Sequence, residues 1–94
     1  MFQIKWEKQA SDELLSILEY WIAHNQSDSY SRKILEEITK IENQLLKYPL
    51  AGVLTDFMAV RKIIFLSNFS LYYRLNNKIL RFFSFGITVE ILKI

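Results

Sequence analysis

Residues 60–85, with the sequence VRKIIFLSNFSLYYRLNNKILRFFSF, decide the fold because they form the densest run of β-branched and aromatic residues in the chain. Three segments of this stretch have the composition typical of strands, namely 61–66, 69–75 and 78–85. Ser67 with Asn68 and Asn76 with Asn77 separate these segments, and two-residue connections of this kind join antiparallel strands in tight hairpins. The stretch therefore predicts a three-stranded antiparallel meander.

The middle segment of this stretch alternates between two kinds of side chain. Its apolar positions are Phe69, Leu71, Tyr73 and Leu75, and its more polar positions are Ser70, Tyr72, Arg74 and Asn76. Successive side chains of a strand point to opposite faces, so one face of the predicted sheet is apolar. An apolar sheet face needs a covering layer, and the first half of the chain is expected to supply it.

A short strand and a first helix are predicted at the start of the chain. Residues 2–6 alternate between apolar and polar side chains, which indicates a strand at an edge of the sheet. Ser11 is predicted to cap a helix over residues 11–24, because Asp12 and Glu13 follow it in the first turn. The apolar stripe expected to face the core consists of Leu14, Leu15, Leu18, Trp21 and Ile22.

A second helix is predicted after the polar residues 24–29, with Ser27 or Ser29 as its N-cap. Its apolar stripe consists of Tyr30, Ile34, Ile38, Ile41 and Leu45. Pro49 ends this helix, because the residue before a proline is disfavoured in the α region. The connection between the two helices is short, so an antiparallel helical hairpin is expected to lie on the sheet.

Two further segments complete the predicted architecture. Gly52, near Pro49, indicates a turn in the linker from helices to sheet. Residues 87–94 alternate again, which predicts a fourth meander strand or a strand added at an edge. The chain is therefore expected to form a single α+β domain over residues 1–94. In it, an N-terminal strand and a helical hairpin join a mainly antiparallel, twisted sheet of four or five strands.

Composition excludes several classes of site. The 94 residues include no cysteine and one histidine, so disulfides and a tetrahedral metal site are not expected, and no cofactor motif is present. No apolar run approaches the ~20 residues of a membrane span, and the amino terminus is charged where a signal peptide is apolar. We therefore expect a cytoplasmic protein that does not contact a membrane.

The net charge of +2 is distributed unevenly. Residues 1–48 contain six Lys/Arg against eight Asp/Glu, whereas residues 49–94 contain six Lys/Arg against two Asp/Glu. The sheet half of the chain is therefore basic, which suits an acidic partner such as a nucleic acid or an acidic protein segment.

The order of these features resembles a known family. A short strand, a helical hairpin, Tyr48 with Pro49, then Gly52, Arg61, Tyr73 and Arg81 follow one another as in RelE/ParE toxins of bacterial type II toxin–antitoxin systems. The resemblance covers residues 2–85. It implies a RelE/ParE-like fold and a cognate antitoxin that silences the toxin. It also implies one of two targets: RelE-like members cleave messenger RNA on the ribosome, whereas ParE-like members inhibit DNA gyrase.

Six residues of the basic half are candidates for target binding. Arg61, Arg74 and Arg81 lie on neighbouring predicted strands, where their charges could hold successive phosphates, and Lys62 and Lys78 could extend the patch. Tyr72 is expected on the same face, where it could stack on a base or contact a target. Alternatively, these cations form only a solvated surface. Tyr73 is expected in the core.

Catalytic residues are not evident in the sequence. RelE-like nucleases place acid and base groups in the last strand and tail, and here that region offers only Glu90 and Lys93. His24 is interpreted as a structural residue at the end of the first helix. A ParE-like toxin that binds its target is therefore the first hypothesis. The alternatives are a catalytically inert module that retains antitoxin binding and a RelE-like ribonuclease.

The C-terminal tail of this chain departs from the family. The most similar members end in Phe-Trp-Asp-Asn-Arg followed by Asn-Pro, whereas this chain continues after Phe85 with Gly86 and Ile87. Residues 85–94 can be back-translated as TTT GGG ATA ACC GTC GAA ATC CTG AAA ATT. One T inserted after the first codon changes the product to Phe-Trp-Asp-Asn-Arg-Arg-Asn-Pro, so we hypothesise that a one-nucleotide deletion replaced the original ending. The new apolar tail is expected to weaken toxicity and to favour a homodimer through strand pairing.

Overall fold

The computed structural model describes residues 1–87. Its helices and strands are β1 (Gln3–Trp6), α1 (Lys8–Asn25), α2 (Ser29–Lys47), β2 (Val53–Leu54), β3 (Arg61–Phe65), β4 (Phe69–Asn76) and β5 (Ile79–Ile87). The predicted meander is confirmed as β3, β4 and β5. Ile87 continues β5, and the strand predicted from residue 87 onward otherwise lies outside the described residues, as do Glu90 and Lys93.

The five strands form one sheet in the order β1-β5-β4-β3-β2. β1 pairs with β5 in parallel at one edge, and all other neighbours are antiparallel. The α+β class and the edge position of the first strand are therefore confirmed. The two-residue strand β2 at the opposite edge lies in what the sequence predicted to be an irregular linker.

A β-bulge in β5 keeps its aromatic residues on the core side. Tyr73 pairs with Phe82, whereas the preceding Tyr72 pairs with Ser84, so Phe83 is an extra residue without a partner on β4. This insertion resets the alternation of side chains. As a result, both Phe82 and Phe85 are buried although three positions separate them.

Helix α1 begins earlier than predicted. It starts at Lys8, directly after β1, because Glu7 donates its backbone N–H to Phe82 O at 2.8 Å and accepts the Ser11 N–H at 3.1 Å. Ser11 is therefore inside the helix and is not its cap. The predicted stripe was partly wrong, since Leu15 and Ile22 are exposed. The side chains that pack against the core are Leu14, Ile17, Leu18 and Trp21.

Helix α2 follows its predicted stripe. Ile34, Ile38, Ile41 and Leu45 are buried, and the helix ends at Lys47 before Pro49. The residue that precedes the helix is Asp28, so neither Ser27 nor Ser29 is the N-cap. Asp28 forms an ion pair with Arg32 at 3.1 Å. Ser31 Oγ donates to Leu18 O at 2.7 Å, which joins the two helices of the hairpin.

A single hydrophobic cluster lies between the helices and the sheet. Its buried members are Ile34, Ile38, Ile41, Leu45, Phe65, Phe69, Leu71, Tyr73, Leu80, Phe82 and Phe85. The predicted core is confirmed, because Leu14, Leu18 and Trp21 pack against this cluster. The indole N–H of Trp6 donates to Glu42 Oε2 at 2.9 Å and so joins β1 to α2.

Glu13 of α1 covers the part of β5 that extends beyond β1. β1 pairs only with residues 79–82, so the edge of β5 that follows has no partner from β1. Glu13 Oε1 accepts the backbone N–H of Phe85 at 2.9 Å and the hydroxyl of Ser84 at 3.3 Å. A side chain thus replaces a strand at this edge.

Within residues 1–87, no helix is long and apolar enough to cross a membrane. In the same part of the chain, no group of three or more His, Asp or Glu side chains is arranged to hold a metal ion.

Candidate functional site

A hydrogen-bonded cluster fixes the linker that leads from α2 into the sheet. The Tyr73 hydroxyl donates to Pro49 O at 2.8 Å and accepts the Gly52 N–H at 2.9 Å. Tyr73 is fully buried, and this burial raises the pKa of its phenol above the ordinary value of 10.0. The predicted core position of Tyr73 is confirmed, and its hydroxyl is already engaged.

Gly52 has no room for a side chain. A Cβ at this position would lie 2.6 Å from Tyr73 Cε1 and 3.0 Å from Lys62 O. The linker backbone therefore approaches the sheet more closely than any other residue type allows.

Arg61 belongs to this cluster and does not join the other arginines. Its Nη1 donates to Gly52 O at 2.9 Å and to Leu50 O at 3.2 Å. Arg61 is paired with Tyr73, and directly paired residues point to the same face, so it lies on the helix side of the sheet. The prediction that it shares one face with Arg74 and Arg81 was wrong.

Three cations lie side by side on the other face of the sheet. Arg81 is paired with Lys5 on β1 and with Arg74 on β4. Its neighbours Leu80 and Phe82 are buried against the helices, so Arg81 points away from them. Adjacent strands are ~4.8 Å apart, which brings the three side chains into one line. We call Lys5, Arg81 and Arg74 the basic row.

One carboxylate and one aromatic ring contact the basic row. Arg81 Nη1 donates to Glu7 Oε2 at 2.7 Å, and each of these side chains is 37% exposed. The guanidinium carbon of Arg74 lies 5.6 Å from the centroid of the Phe83 ring. Like charges directly opposite one another on neighbouring strands destabilise a sheet, and one carboxylate balances only part of this charge. An approaching polyanion would balance the rest.

Of the other predicted site residues, Lys62 and Tyr72 lie on the face of the basic row, and Lys78 lies in a turn. Lys62 is paired with Tyr72, and both lie on the same face as Arg74. Lys78 lies in the β4–β5 turn and not in a strand, with its ammonium 5.7 Å from the centroid of Phe2. The structure therefore brings together Tyr72, Arg74, Arg81 and Lys62. Sequence analysis missed Lys5, since only the parallel pairing of β1 with β5 places it next to Arg81.

His24 lies away from this face, in an aromatic cluster on the helices. Its ring stacks on Tyr20 with centroids 5.5 Å apart and meets Trp21 edge to face at 5.4 Å. This position agrees with its interpretation as a structural residue in the last turn of α1.

Solved structures share the fold of this chain at low sequence identity. No protein-family model matches the chain, and no curated protein matches it. A solved structure of the chromosomal ParDE TA system from P. aeruginosa matches with a TM-score of 0.77 at 19% identity, over 94% of this chain and 97% of that chain. The E. coli DinJ-YafQ toxin-antitoxin complex matches with a TM-score of 0.59 at 16% identity, over 92% and 91%. A YafQ mutant from E. coli matches with a TM-score of 0.59 at 15% identity, over 97% and 98%. The chain therefore has the RelE/ParE-like fold.

Proposed function

We propose that this chain is the toxin of a type II toxin–antitoxin system, that it acts in the cytoplasm, and that a cognate antitoxin silences it. The observation that carries the proposal is the match to the ParDE structure, which extends over nearly the whole of both chains. The DinJ-YafQ structure is a toxin–antitoxin complex, and it supports an antitoxin as partner.

Within this family, a ParE-like mode of action is favoured over messenger RNA cleavage. The match to the ParDE structure has a higher TM-score than the matches to YafQ. Two groups that could transfer a proton lie away from the basic row, since Tyr73 holds the linker and His24 stacks on Tyr20. The basic row offers cations for binding, and the carboxylate beside it, Glu7, already pairs with Arg81.

The basic row, with Tyr72 and Lys62, is the surface that we assign to the target. It presents aligned positive charge beside an aromatic ring, which suits an acidic surface of a macromolecule such as DNA gyrase. Lys78 lies outside this surface, in the β4–β5 turn with its ammonium near the Phe2 ring, and Arg61 holds the linker.

Induced expression in a bacterial host tests the proposal. We expect growth arrest, and we expect growth to recover when the product of the adjacent gene is expressed with the toxin. Unaffected growth of cells that contain the folded protein would contradict toxicity and favour the inert binding module.

A double variant tests the target surface. Arg74→Ala with Arg81→Ala should remove toxicity, while Arg32→Ala with Lys33→Ala removes the same charge from the exposed side of α2 and should leave it intact. Full toxicity of the first variant would show that the basic row is only a solvated surface. Loss of gyrase supercoiling activity in cell extracts would support the ParE-like mode, whereas cleaved messenger RNA would support the RelE-like mode.

A further inference from the structure

Glu7 lies at the junction between β1 and α1, and its backbone holds it there. Its N–H donates to Phe82 O at 2.8 Å, and its carbonyl oxygen accepts the Ser11 N–H at 3.1 Å. These two bonds fix the backbone of the junction to the sheet and to the helix. The carboxylate of Glu7 can therefore change its position while β1 and α1 keep theirs.

The Glu7 carboxylate lies against the middle of the basic row. Arg81 is the residue between Lys5 and Arg74, and its Nη1 donates to Glu7 Oε2 at 2.7 Å. A target that binds through the basic row therefore meets Arg81 with an anion already in place. An acidic group of the target and the Glu7 carboxylate compete for the same guanidinium.

The contact between Glu7 and Arg81 can be exchanged for another at low cost. Each of the two side chains is 37% exposed, and water screens ion pairs at such exposure, so they contribute little to stability. The contact is a single hydrogen bond from Nη1. A carboxylate that approaches in the plane of the guanidinium can form two parallel hydrogen bonds, which is a stronger arrangement. A suitably placed partner carboxylate is therefore favoured over Glu7.

A second position is open to the displaced carboxylate. Glu7 is the N-cap residue of α1, yet its side chain forms no capping hydrogen bond. The first backbone N–H groups of a helix have no partner within the helix, and a negative charge beside them is stabilising. A side chain at the N-cap position accepts from the second or third residue of the helix, which here are Gln9 and Ala10. The carboxylate can thus leave Arg81 and cap α1.

We infer that Glu7 is a built-in competitor for the basic row: a carboxylate of an acidic protein target displaces it from Arg81, and Glu7 then caps α1. This inference rests on the proposed function for its target and names the residue that sets the affinity of that site. In the free protein, Glu7 balances part of the like charge of the row. A surface with one isolated acidic group gains little from the exchange, so Glu7 restricts binding to targets that present several acidic groups to the row.

Variants that remove the charge of Glu7 test the inference with the purified toxin. The probe is poly-L-glutamate, titrated at low and constant ionic strength. Glu7→Gln and Glu7→Ala should each bind it about two- to fivefold more tightly than the wild type, because the competing carboxylate is gone. Asp12→Asn is the matched control. It removes the same charge from the same helix, where Asp12 pairs with Lys8 at 2.7 Å, and it should tighten binding less.

The direction of the change separates competition from a structural role. If Glu7 only positioned Arg81, its removal would weaken binding, and thermal unfolding shows whether each variant is folded. Unchanged or weaker binding by folded Glu7→Gln, or a gain equal to that of Asp12→Asn, would overturn the inference. Tighter binding of a single-stranded oligonucleotide than of poly-L-glutamate with the same number of charges would overturn the choice of an acidic protein as target.

The amide NMR signals of Gln9 and Ala10 report the second position of the carboxylate. Addition of poly-L-glutamate should shift both signals in the wild type and leave them in place in Glu7→Ala. Unchanged signals in the wild type would overturn the capping step. Induced expression tests the proposed function separately. A chain that does not arrest growth, but in which Glu7→Gln tightens binding as expected, would overturn toxicity and still support the exchange at Arg81.

Discussion

The hydroxyl of Tyr73 accepts a hydrogen bond from the backbone N–H of Gly52 across 2.9 Å, although 21 positions separate the two residues in the chain. Pro49 and Arg61 join the same cluster through Pro49 O and the Arg61 guanidinium. Most of the residues on which the family resemblance rests therefore meet at one place. They anchor the linker to the sheet, which explains how they can mark the fold.

Gly52→Ala should destabilise the protein by about 1–3 kcal/mol, because the new methyl group would overlap Tyr73 Cε1 and approach Lys62 O. Gly86→Ala is the matched control, since a Cβ there meets no atom within 4 Å. Urea unfolding should show a lower midpoint only for the first variant. Equal midpoints for the two variants would mean that the linker can move away from Tyr73 without loss.

Tyr73→Phe should leave the Gly52 N–H and Pro49 O without their partner and destabilise the fold by about 1–3 kcal/mol. Urea unfolding measures this loss at neutral pH. Amide exchange at Gly52 should accelerate in the same variant, and unchanged exchange would contradict the role of the hydroxyl in holding the linker.

Stability should fall as the pH rises above about 10, and Tyr73→Phe should flatten that fall. Burial raises the pKa of the folded phenol above 10.0, so in this range the unfolded chain releases a proton that the folded chain retains, and unfolding becomes more favourable. Unfolding free energies between pH 9 and pH 11 measure the slope. Tyr20→Phe, which removes an exposed phenol from α1, is the control variant.

Glu13→Ala should destabilise the protein by about 1–2 kcal/mol, because it removes the acceptor for the Phe85 N–H at the uncovered edge of β5. Glu19→Ala, on the exposed side of the same helix, should change stability by less than about 0.5 kcal/mol. Thermal unfolding compares the two variants. A stable Glu13→Ala variant with slow exchange at Phe85 would show that another group covers this edge.

The coding DNA tests the hypothesis of a one-nucleotide deletion. Codons for residues 86–94 should yield the arginine-bearing tail when one nucleotide is restored after the codon for Phe85. Codons that yield any other product in that reading would rule the deletion out. Sequencing the gene decides between these outcomes without any assay of the protein.

The sequence by itself determined the meander, the helical hairpin and the stripe of α2, since local alternation and helical periodicity encode them. It also placed Tyr73 and Ile38 in the core, because each lies on the apolar side of a strongly patterned element. The local sequence pattern predicted the start of α1 less well. This helix begins directly after β1 because the Glu7 backbone bonds to β5, and the two residues of this contact are far apart in the sequence.

Only the tertiary structure decided which cations share a face. The parallel pairing of β1 with β5 places Lys5 beside Arg81, and the pairing of β3 with β4 turns Arg61 towards the helices. The two residues of β2 are too few to show an alternation, and the linker before β2 lies close against the sheet only because Tyr73 and Arg61 bond to the backbone of Gly52. Strand register and the path of a linker depend on contacts between distant residues. The alternation within a single strand cannot specify them, because it is the same for every register that keeps the apolar face inward.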